Sequence, residues 1–314
     1  MARPTPLVEA HALSARLGVP VHLKLESLNP TGSFKVRGAA TRLSALSRVE
    51  RRTGVVACSS GNHGRAVAWV AERMGIPATI CVPEWVDPVK LAGIRAAGAE
   101  AVLAGATYDE AEARAIAMAE ESGRPFVSAY DDPWVIAGQG TIALEILAAL
   151  RRTPPSAVLA PLSGGGLVGG VGAALRARAG PDAPATVAVS AERAAVMLAS
   201  LVADRPVELP EEETLASALS GGIGLDNRWS FGLVRDLDLE HVVVTEDEIE
   251  EAMAFCCNEL RVVAEGGGAV PVAAVLSGKW APQVPDAPVV LVVSGGNVSA
   301  STLARVLERE GPGA

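Results

Sequence analysis

Short runs of β-branched residues alternate along the chain with longer segments rich in Ala, Leu and Arg. The short runs have the length and composition of buried strands, whereas apolar positions in the longer segments recur with the period of a helix. Strands are predicted at residues 21–25, 55–57, 79–82, 158–162, 186–189, 242–244 and 289–293. Helices are predicted at residues 65–74, 108–122, 142–150, 246–259 and 301–310. This alternation is typical of a parallel sheet covered by helices, so the predicted fold class is α/β.

Three predicted strands run directly into a glycine-bearing turn that is followed by a helix. These segments read VVACSSGNHGRAVAWV, AVLAPLSGGGLVGGVGAAL and VVLVVSGGNVSASTLARVL. A fourth segment, NPTGSFKVRGAA, leads from the strand at 21–25 to the next helix. Ligands of open α/β sheets bind at the carboxyl ends of the strands, so all four segments are predicted to line one cleft.

Size and charge exclude several classes of protein. The chain has 314 residues, of which 49% are hydrophobic, and its net charge is −9. That length suits two compact domains or one large one, and an acidic balance without a basic run argues against tight nucleic-acid binding. The N-terminus carries charges and prolines where a signal peptide needs an apolar core, and the four cysteines form no disulfide or zinc pattern, so a cytoplasmic location is expected. A charge-free stretch at 157–175 contains a proline and six glycines, which suits a strand, a loop and a helix better than a membrane span.

The glycine-rich run SGGGLVGG offers consecutive backbone N–H groups unobstructed by side chains, directly before a helix. Such a loop is suited to binding phosphate, because the positive end of the helix dipole adds to the N–H donors. Gly164, Gly166 and Gly169 also satisfy the GxGxxG pattern, and Glu192 follows the next strand, where a ribose-binding acid could lie. An NAD-dependent oxidoreductase is therefore one alternative, and a purely structural turn is another.

Lysine is rare in this chain, with 4 residues against 23 arginines, so a retained lysine is a candidate for chemistry that arginine cannot perform. An amine can lose its proton near neutral pH and form a Schiff base, whereas a guanidinium cannot. Lys35 is placed near a helix start, where the dipole and partial burial would lower its pKa. The alternative is an ordinary lysine on the first turn of a surface helix.

Polar side chains follow the strand at 55–57, on the first turn of the next helix. Ser59, Ser60, Asn62 and His63 could hold a carboxylate or a ring oxygen, or could simply cap the helix. His63 could equally be a buried structural histidine. Ser294, at the end of VVLVVSGGN, could donate to a ring nitrogen or close the turn.

Five segments occur in the order TGSFKVRGA, SSGNHGRAVA, IAGQGTIALEIL, SGGGLVGG and VVSGGN. Together they resemble the fold-type II pyridoxal-phosphate enzymes of the threonine/serine dehydratase and serine racemase family, over about residues 4–298. The segments AVSAERAAVM and GGIGLDNRWSF look most like the hydroxyectoine-utilisation dehydratase branch. The resemblance implies two open twisted, mostly parallel sheets with helices on both faces, similar to the tryptophan synthase β subunit. It also implies a homodimer, with a small α/β domain at 54–129 inserted into a large cofactor-binding domain formed by 1–53 and 130–314.

The resemblance also implies roles for individual residues in binding pyridoxal 5′-phosphate. Lys35 would bind the cofactor covalently and take the Cα proton of the substrate, with Ser60 as acid or base on the opposite face. Asn62 would bond the cofactor ring oxygen, Ser294 the pyridine nitrogen, and Phe34 would pack near the ring. The phosphate would be held by backbone amides of Ser163, Gly164, Gly165, Gly166 and Leu167. The substrate carboxylate would be received by Ser59, Asn62 and His63.

The activity implied by this family is elimination of water from a β-hydroxy amino acid, either threonine- or serine-like or derived from hydroxyectoine. The resulting enamine would give a 2-oxo acid and ammonia, and a hydroxyl rather than a carboxylate at the pyridine nitrogen would favour elimination over transamination. The pair of Lys35 and Ser60 would also permit an amino-acid racemase. A non-catalytic small-molecule binding protein is a further alternative, against which the intact Lys35, Ser60 and Ser294 argue.

Three departures from the family pattern change what is expected. Ser190 and Val196 stand where metal-dependent relatives carry acids, so no divalent metal site of that kind is expected. Residues 216–218 read Ala-Ser-Ala instead of Ala-Asp-Gly, which puts L-threonine and L-serine in question as substrates. No regulatory domain follows the last motif in this sequence, so feedback inhibition by isoleucine is not expected.

Overall fold

The computed structural model describes residues 2–86 and 88–309, which fold into two sheets flanked by helices. The strands are β1 (Leu7–Glu9), β2 (Val21–Leu25), β3 (Val55–Cys58), β4 (Ala78–Val82), β5 (Glu100–Leu103), β6 (Ala157–Pro161), β7 (Ala185–Ala191), β8 (Glu240–Val244) and β9 (Val289–Val293). The helices are α1 (His11–Leu17), α2 (Lys35–Ser44), α3 (Arg48–Thr53), α4 (Asn62–Met74), α5 (Pro88–Ala96), α6 (Tyr108–Ser122), α7 (Pro133–Ala149), α8 (Gly166–Ala179), α9 (Val196–Val202), α10 (Ser230–Leu237), α11 (Glu246–Asn258), α12 (Gly266–Leu276) and α13 (Ala300–Arg309).

The larger sheet has six strands in the order β1-β2-β9-β6-β7-β8, and the smaller has three in the order β3-β4-β5. Every pairing in these sheets is parallel except that of the edge strand β1 with β2. Parallel strands need helical crossovers, which cover both faces of the sheet. The predicted α/β fold class with two mostly parallel sheets is confirmed.

Side chains of the central strands alternate between two apolar cores, one on each face of the larger sheet. In β6, Ala157 and Leu159 join the core that includes α11 and α12, whereas Val158 and Ala160 join the core against α7 and α8. The smaller sheet is covered on one face by α4, on which α2 packs, and on the other face by α6, and each face has its own apolar core. This two-sided burial explains why the central strands read as continuous apolar runs in the sequence.

The sequence prediction is incomplete at edge strands and helix starts, and it did not name α1, α3, α5, α9, α10 and α12. The strands β1 and β5 were not predicted, because both lie at sheet edges, are only three and four residues long, and keep exposed side chains. The helices α4 and α7 begin earlier than predicted, at Asn62 and Pro133, because glycines in their N-terminal halves, Gly64 in α4 and Gly138 and Gly140 in α7, obscure the helical period. The predicted end of the last helix, at residue 310, lies outside the described residues.

The apolar stretch at 157–175 folds as β6, a loop and the first part of α8. Among the described residues, no helix combines the length and the apolar character that crossing a bilayer requires.

Candidate active site

Lys35 is the first residue of α2, and its Nζ donates to the carbonyl oxygen of Ala129 at 2.8 Å. Burial lowers the pKa of Lys35 to about 8, although the nearby Glu265 carboxylate opposes this shift. The amine also lies 5.2 Å from the centroid of the Phe34 ring. The structure therefore gives this lysine the lowered proton affinity that a nucleophile or base requires.

The glycine loop after β6 presents a row of unpaired backbone donors at the start of α8. The N–H groups of residues 163–167 donate to no other described residue, and α8 begins without a side-chain cap. A Cβ atom on Gly164 would lie 2.3 Å from Cγ of Tyr130, and Gly165 has a φ of +82°. Only glycine fits this backbone, and the resulting set of N–H groups at a helix N-terminus suits a phosphate.

The first turn of α4 carries a second group of unpaired backbone donors. The N–H groups of Asn62, His63 and Gly64 make no hydrogen bond to other described residues, and no side chain caps this helix. The loop before it is tightly folded, because a Cβ atom on Gly64 would lie 2.1 Å from the carbonyl oxygen of Ser59. This helix start suits a carboxylate.

The side chains of this loop have different environments. The Ser59 Oγ accepts from the N–H of Gly61 at 3.1 Å, whereas the half-buried Ser60 makes no side-chain hydrogen bond to a described residue. Asn62 donates through Nδ2 to Oε1 of Glu265 at 2.6 Å and accepts at Oδ1 from Nδ2 of Asn297, also at 2.6 Å. The Asn62 amide is therefore held from both sides, by the residue that precedes α12 and by the loop after β9.

His63 is buried, and its Nε2 donates to the carbonyl oxygen of Val127 at 2.8 Å. Burial and the positive charge of Lys35 lower the pKa of His63 to about 3, so the imidazole is neutral at physiological pH. The side chain thus has the contacts of a structural histidine. Its backbone N–H, in contrast, remains available to a substrate carboxylate.

The loop after β9 packs against the loop that precedes Lys35. The N–H of Phe34 donates to the carbonyl oxygen of Ser294 at 2.9 Å, and Ser33 pairs with Gly295. Ser294 is buried, and its Oγ donates weakly to the carbonyl oxygen of Gly267 at 3.3 Å. A hydroxyl has one proton, so Ser294 could donate to a ring nitrogen only by giving up this long hydrogen bond.

The segment at 129–130 links the glycine loop to Lys35. Ala129 accepts from the lysine amine, the Tyr130 ring lies against Gly164, and the Tyr130 backbone lies against Gly166. Together with the contacts of Asn62 and Phe34, this brings the four predicted segments to the same side of the molecule, at the carboxyl ends of β2, β3, β6 and β9.

Sequence reasoning missed three residues of the site: Glu265, Asn297 and Tyr130. Asn297 stands in the recognised segment VVSGGN, and Tyr130 is one of only two tyrosines, so each had a signal in the sequence. Glu265 stands directly before three glycines that begin α12, so its signal was a polar residue beside a glycine-rich helix start. Among the described residues, no group of three His, Cys, Asp or Glu side chains could hold a metal ion.

Comparison with known proteins places these features in a family. Residues 1–295 match the family described as "Pyridoxal-phosphate dependent enzyme". The chain is 39% identical over 305 residues to L-threonine ammonia-lyase of Thermotoga maritima, covering 97% of this chain and 74% of that protein. Its structure is similar to threonine deaminase isoform 2 of Solanum lycopersicum, with a TM-score of 0.89, 34% identity and coverage of 99% and 84%. Maize serine racemase is similar with a TM-score of 0.88, 30% identity and coverage of 98% and 93%.

These relatives confirm the resemblance inferred from the five segments, together with the lyase class and the cofactor. The family match decides against an NAD-dependent oxidoreductase, and the exposed Glu192 instead accepts from the N–H of Glu246 at 3.3 Å. The hydroxyectoine branch stays a prediction.

The residues of the cleft fit pyridoxal phosphate chemically. Unpaired N–H groups at the glycine loop suit its phosphate, the lowered pKa of Lys35 suits an amine that reacts with its aldehyde, and Ser294 offers a neutral hydroxyl. On the family match and this fit, the chain belongs to the family of pyridoxal-phosphate dependent enzymes.

Proposed function

We propose that the protein eliminates water from a β-hydroxy amino acid, releasing a 2-oxo acid and ammonia. The observation that carries this proposal is Lys35, whose pKa is lowered to about 8 beside the segment that contacts the glycine loop. Relatives named L-threonine ammonia-lyase and threonine deaminase support an amino-acid substrate that carries a β-hydroxyl group.

Bound pyridoxal phosphate would supply an electron sink that stabilises negative charge at the substrate Cα. The N–H groups of residues 163–167 would hold its phosphate, aided by the dipole of α8. Asn62 would donate its free amide hydrogen to the ring oxygen, and Ser294 would donate its hydroxyl to the ring nitrogen. Phe34 would pack beside the ring.

Lys35 would take the proton from the substrate Cα through its neutral amine. With a pKa of about 8, about a tenth of the amine is neutral at pH 7, against about one part in 3,000 for an ordinary lysine. The ammonium formed in this way is then a proton donor for the departing β-hydroxyl, which leaves as water. One residue would thereby move the same proton from carbon to oxygen.

The substrate carboxylate would bind at the first turn of α4. Its N–H groups are unpaired, and Ser59 and Ser60 add hydroxyl groups next to them. The substrate would then be fixed at two points, its carboxylate at α4 and its amine at the cofactor. These two points would direct the Cα–H bond toward Lys35. Orientation of this kind lowers the barrier by removing unproductive geometries.

A racemase is the second candidate, because the Ser60 hydroxyl makes no hydrogen bond to a described residue and remains free to donate a proton. The likeness to maize serine racemase supports this alternative. A proton returned by Ser60 to the opposite face of Cα would invert the amino acid without loss of water.

The two candidates differ in their products. The holoenzyme is incubated with the L and D forms of serine and threonine and with further β-hydroxy amino acids, and ammonia, 2-oxo acid and enantiomer ratio are measured. We expect equal amounts of ammonia and 2-oxo acid from at least one substrate, and none from L-alanine, which has no β-leaving group. Inversion without ammonia would establish the racemase, and inert behaviour toward every substrate would overturn both.

Loading of the cofactor should depend on pH through Lys35, because only the neutral amine attacks an aldehyde. With a pKa of about 8, the rate of cofactor binding to the apoprotein should rise about tenfold per pH unit below pH 8 and level off above it. Glu265 raises this pKa, so Glu265→Gln should shift the midpoint to lower pH. Absorbance stopped-flow between pH 6 and 9 measures the rate, with the exposed Asp247→Asn variant as control. An unchanged midpoint in Glu265→Gln would contradict the assignment of this pH dependence to the Lys35 amine.

The glycine loop should tolerate no side chain at Gly164. In Gly164→Ala the new Cβ would lie 2.3 Å from the Tyr130 ring, so either the loop or the ring must move. Overpacking of about 1–3 kcal/mol corresponds to about 5- to 150-fold weaker cofactor binding, measured by absorbance titration. Gly232→Ala is the matched control, since nothing lies within 4 Å of its Cβ position on α10. Parent-like affinity in Gly164→Ala would mean that this loop does not hold the phosphate.

We further propose that residues 54–129 form a small domain inserted into a large domain of 1–53 and 130–314, and that the two close over the substrate. Separate sheets support this division, because β3, β4 and β5 form a three-stranded sheet of their own. Closure would exclude water during elimination. Small-angle scattering that stays the same on saturation with a substrate analogue would count against it.

A cytoplasmic homodimer completes the proposal. All four cysteines are free and three of them are buried, which suits a reducing compartment. Light scattering coupled to size-exclusion chromatography should give twice the chain mass of 32.1 kDa.

A further inference from the structure

Side-chain hydrogen bonds connect the molecular surface to the Asn62 amide. Arg65, exposed on α4, donates through Nη1 to Oδ1 of Asn297 at 2.7 Å. Asn297 donates through Nδ2 to Oδ1 of Asn62 at 2.6 Å, and Asn62 donates through Nδ2 to Oε1 of Glu265, also at 2.6 Å. These bonds join α4 to the loop after β9 and to the residue that precedes α12.

Each bond in this series has only one possible direction. A guanidinium donates and never accepts, so Asn297 must turn its Oδ1 to Arg65 and its Nδ2 to Asn62. The same Nδ2 donates to the carbonyl oxygen of Thr31 at 2.9 Å, which fixes the same orientation. At the other end the Glu265 carboxylate only accepts, so Asn62 must present its Nδ2 there.

Backbone shape also holds the Asn297 amide in place. Gly32 has a φ of +75°, and a Cβ atom there would lie 2.2 Å from Oδ1 of Asn297. The amide therefore occupies space that a side chain at position 32 would fill. A glycine in a left-handed conformation is needed for this approach.

We infer that Asn297, directed by Arg65, is a positioning residue that fixes the orientation of the Asn62 amide for cofactor binding. This rests on the proposed function, in which Asn62 binds the cofactor ring oxygen. An amide nitrogen carries two hydrogens, of which Glu265 takes one and the other is left for the ring oxygen. With the amide reversed, Oδ1 of Asn62 would face the Glu265 carboxylate and the ring oxygen, and three acceptors would meet without a donor.

The effect of Arg65 should fall on ligand binding and leave folding almost unchanged. Its guanidinium is exposed, and exposed charged hydrogen bonds add little to stability. Its influence comes from the direction that it imposes on two amides further inside the protein. Arg73, on the same helix, stacks on Trp69 with its Cζ 3.7 Å from the ring centroid and makes no contact with this series, so it provides a matched control.

The test compares cofactor dissociation constants in the parent and in four variants. We expect binding about tenfold weaker in Arg65→Met, which has no donor, and within about twofold of the parent in Arg65→Lys, which keeps one. Asn297→Asp offers only acceptors to Asn62 and should bind about 100-fold more weakly. Arg73→Met should bind as the parent does. Thermal unfolding of each apoprotein checks the fold, and the two Arg65 variants decide the question if Asn297→Asp does not fold.

The outcomes separate this inference from the proposed function. Failure of the parent to bind pyridoxal phosphate, or to be labelled at Lys35 on borohydride reduction, would overturn the proposed function. A parent that binds and is labelled, beside an Arg65→Met variant of equal affinity, would overturn the positioning role alone. Arg65→Lys as weak as Arg65→Met would also overturn it, because the donor would then not be what matters.

Discussion

The Lys35→Ala variant is expected to lose about 10⁴-fold or more in kcat for ammonia release. The amine is the proposed base for the Cα proton and the proposed covalent attachment point, and no other described lysine lies in the cleft. Borohydride reduction of the parent followed by peptide mass spectrometry should find the cofactor on Lys35. The variant should show no such label at the corresponding peptide.

Two further variants show which property of Lys35 matters. Lys35→Arg keeps the positive charge but cannot supply a neutral amine, so we expect a loss as large as that of Lys35→Ala. Lys279→Ala removes an exposed lysine that pairs with Glu248 at 2.8 Å, and should retain both the label and the rate. Substantial activity in Lys35→Arg would show that charge suffices, and a label retained in Lys35→Ala would place the attachment elsewhere.

The parts of the site that sequence predicted are those encoded locally. Lys35 and the glycine loop each follow a buried strand, so strand pattern and turn residues together place them at the carboxyl edge of a sheet. The position of Lys35 near a helix start also predicted that its pKa is lowered. In the structure, the cause that lowers this pKa is burial. Local sequence thus predicts which groups reach the cleft.

Long-range pairing is what the sequence could not show. Asn62 contacts Glu265 across 203 residues and Asn297 across 235, and no periodic pattern links positions so far apart. The same holds for His63, for which two interpretations remained until the contact with Val127 placed the imidazole in a structural role. Hydrogen-bond direction in the site depends on these contacts and needs coordinates.

A glycine at the N-cap distinguishes α4 and α8 from the other helices whose N-caps are described; α1, α2, α9, α10 and α12 also lack a side-chain cap, but none of them has a glycine there. Thr107, Asp132 and Thr245 cap α6, α7 and α11 with their side chains. In contrast, α4 and α8 start at glycines with no side-chain cap, which leaves their first N–H groups unpaired. A glycine-capped helix start that follows a buried strand is therefore a sequence signal for a ligand, because those donors need a partner.

A buried ionic cluster lies just beyond Lys35 on α2. Arg37 is 3% exposed and makes paired hydrogen bonds to both oxygens of Glu26 and both oxygens of Glu145, at 2.6–2.9 Å. Glu145 also accepts from Lys24 at 2.5 Å, and Lys24 and Glu26 are almost fully buried. The cluster ties β2, α2 and α7 together, two residues from the reactive amine.

Replacing Arg37 by Ala should lower the free energy of unfolding by about 3–5 kcal/mol, because the fully buried Glu26 carboxylate would lose its charged partner. Guanidinium chloride unfolding at one fixed cofactor concentration measures this change. Arg114→Ala, which breaks an exposed pair with Glu121, should alter it by less than about 0.5 kcal/mol. If the cost comes from an unpaired buried charge, the double variant Arg37→Met with Glu26→Gln should be more stable than Arg37→Ala. Equal loss in both would assign the role of Arg37 to packing, and a loss near that of Arg114→Ala would mean that the cluster does not hold α2.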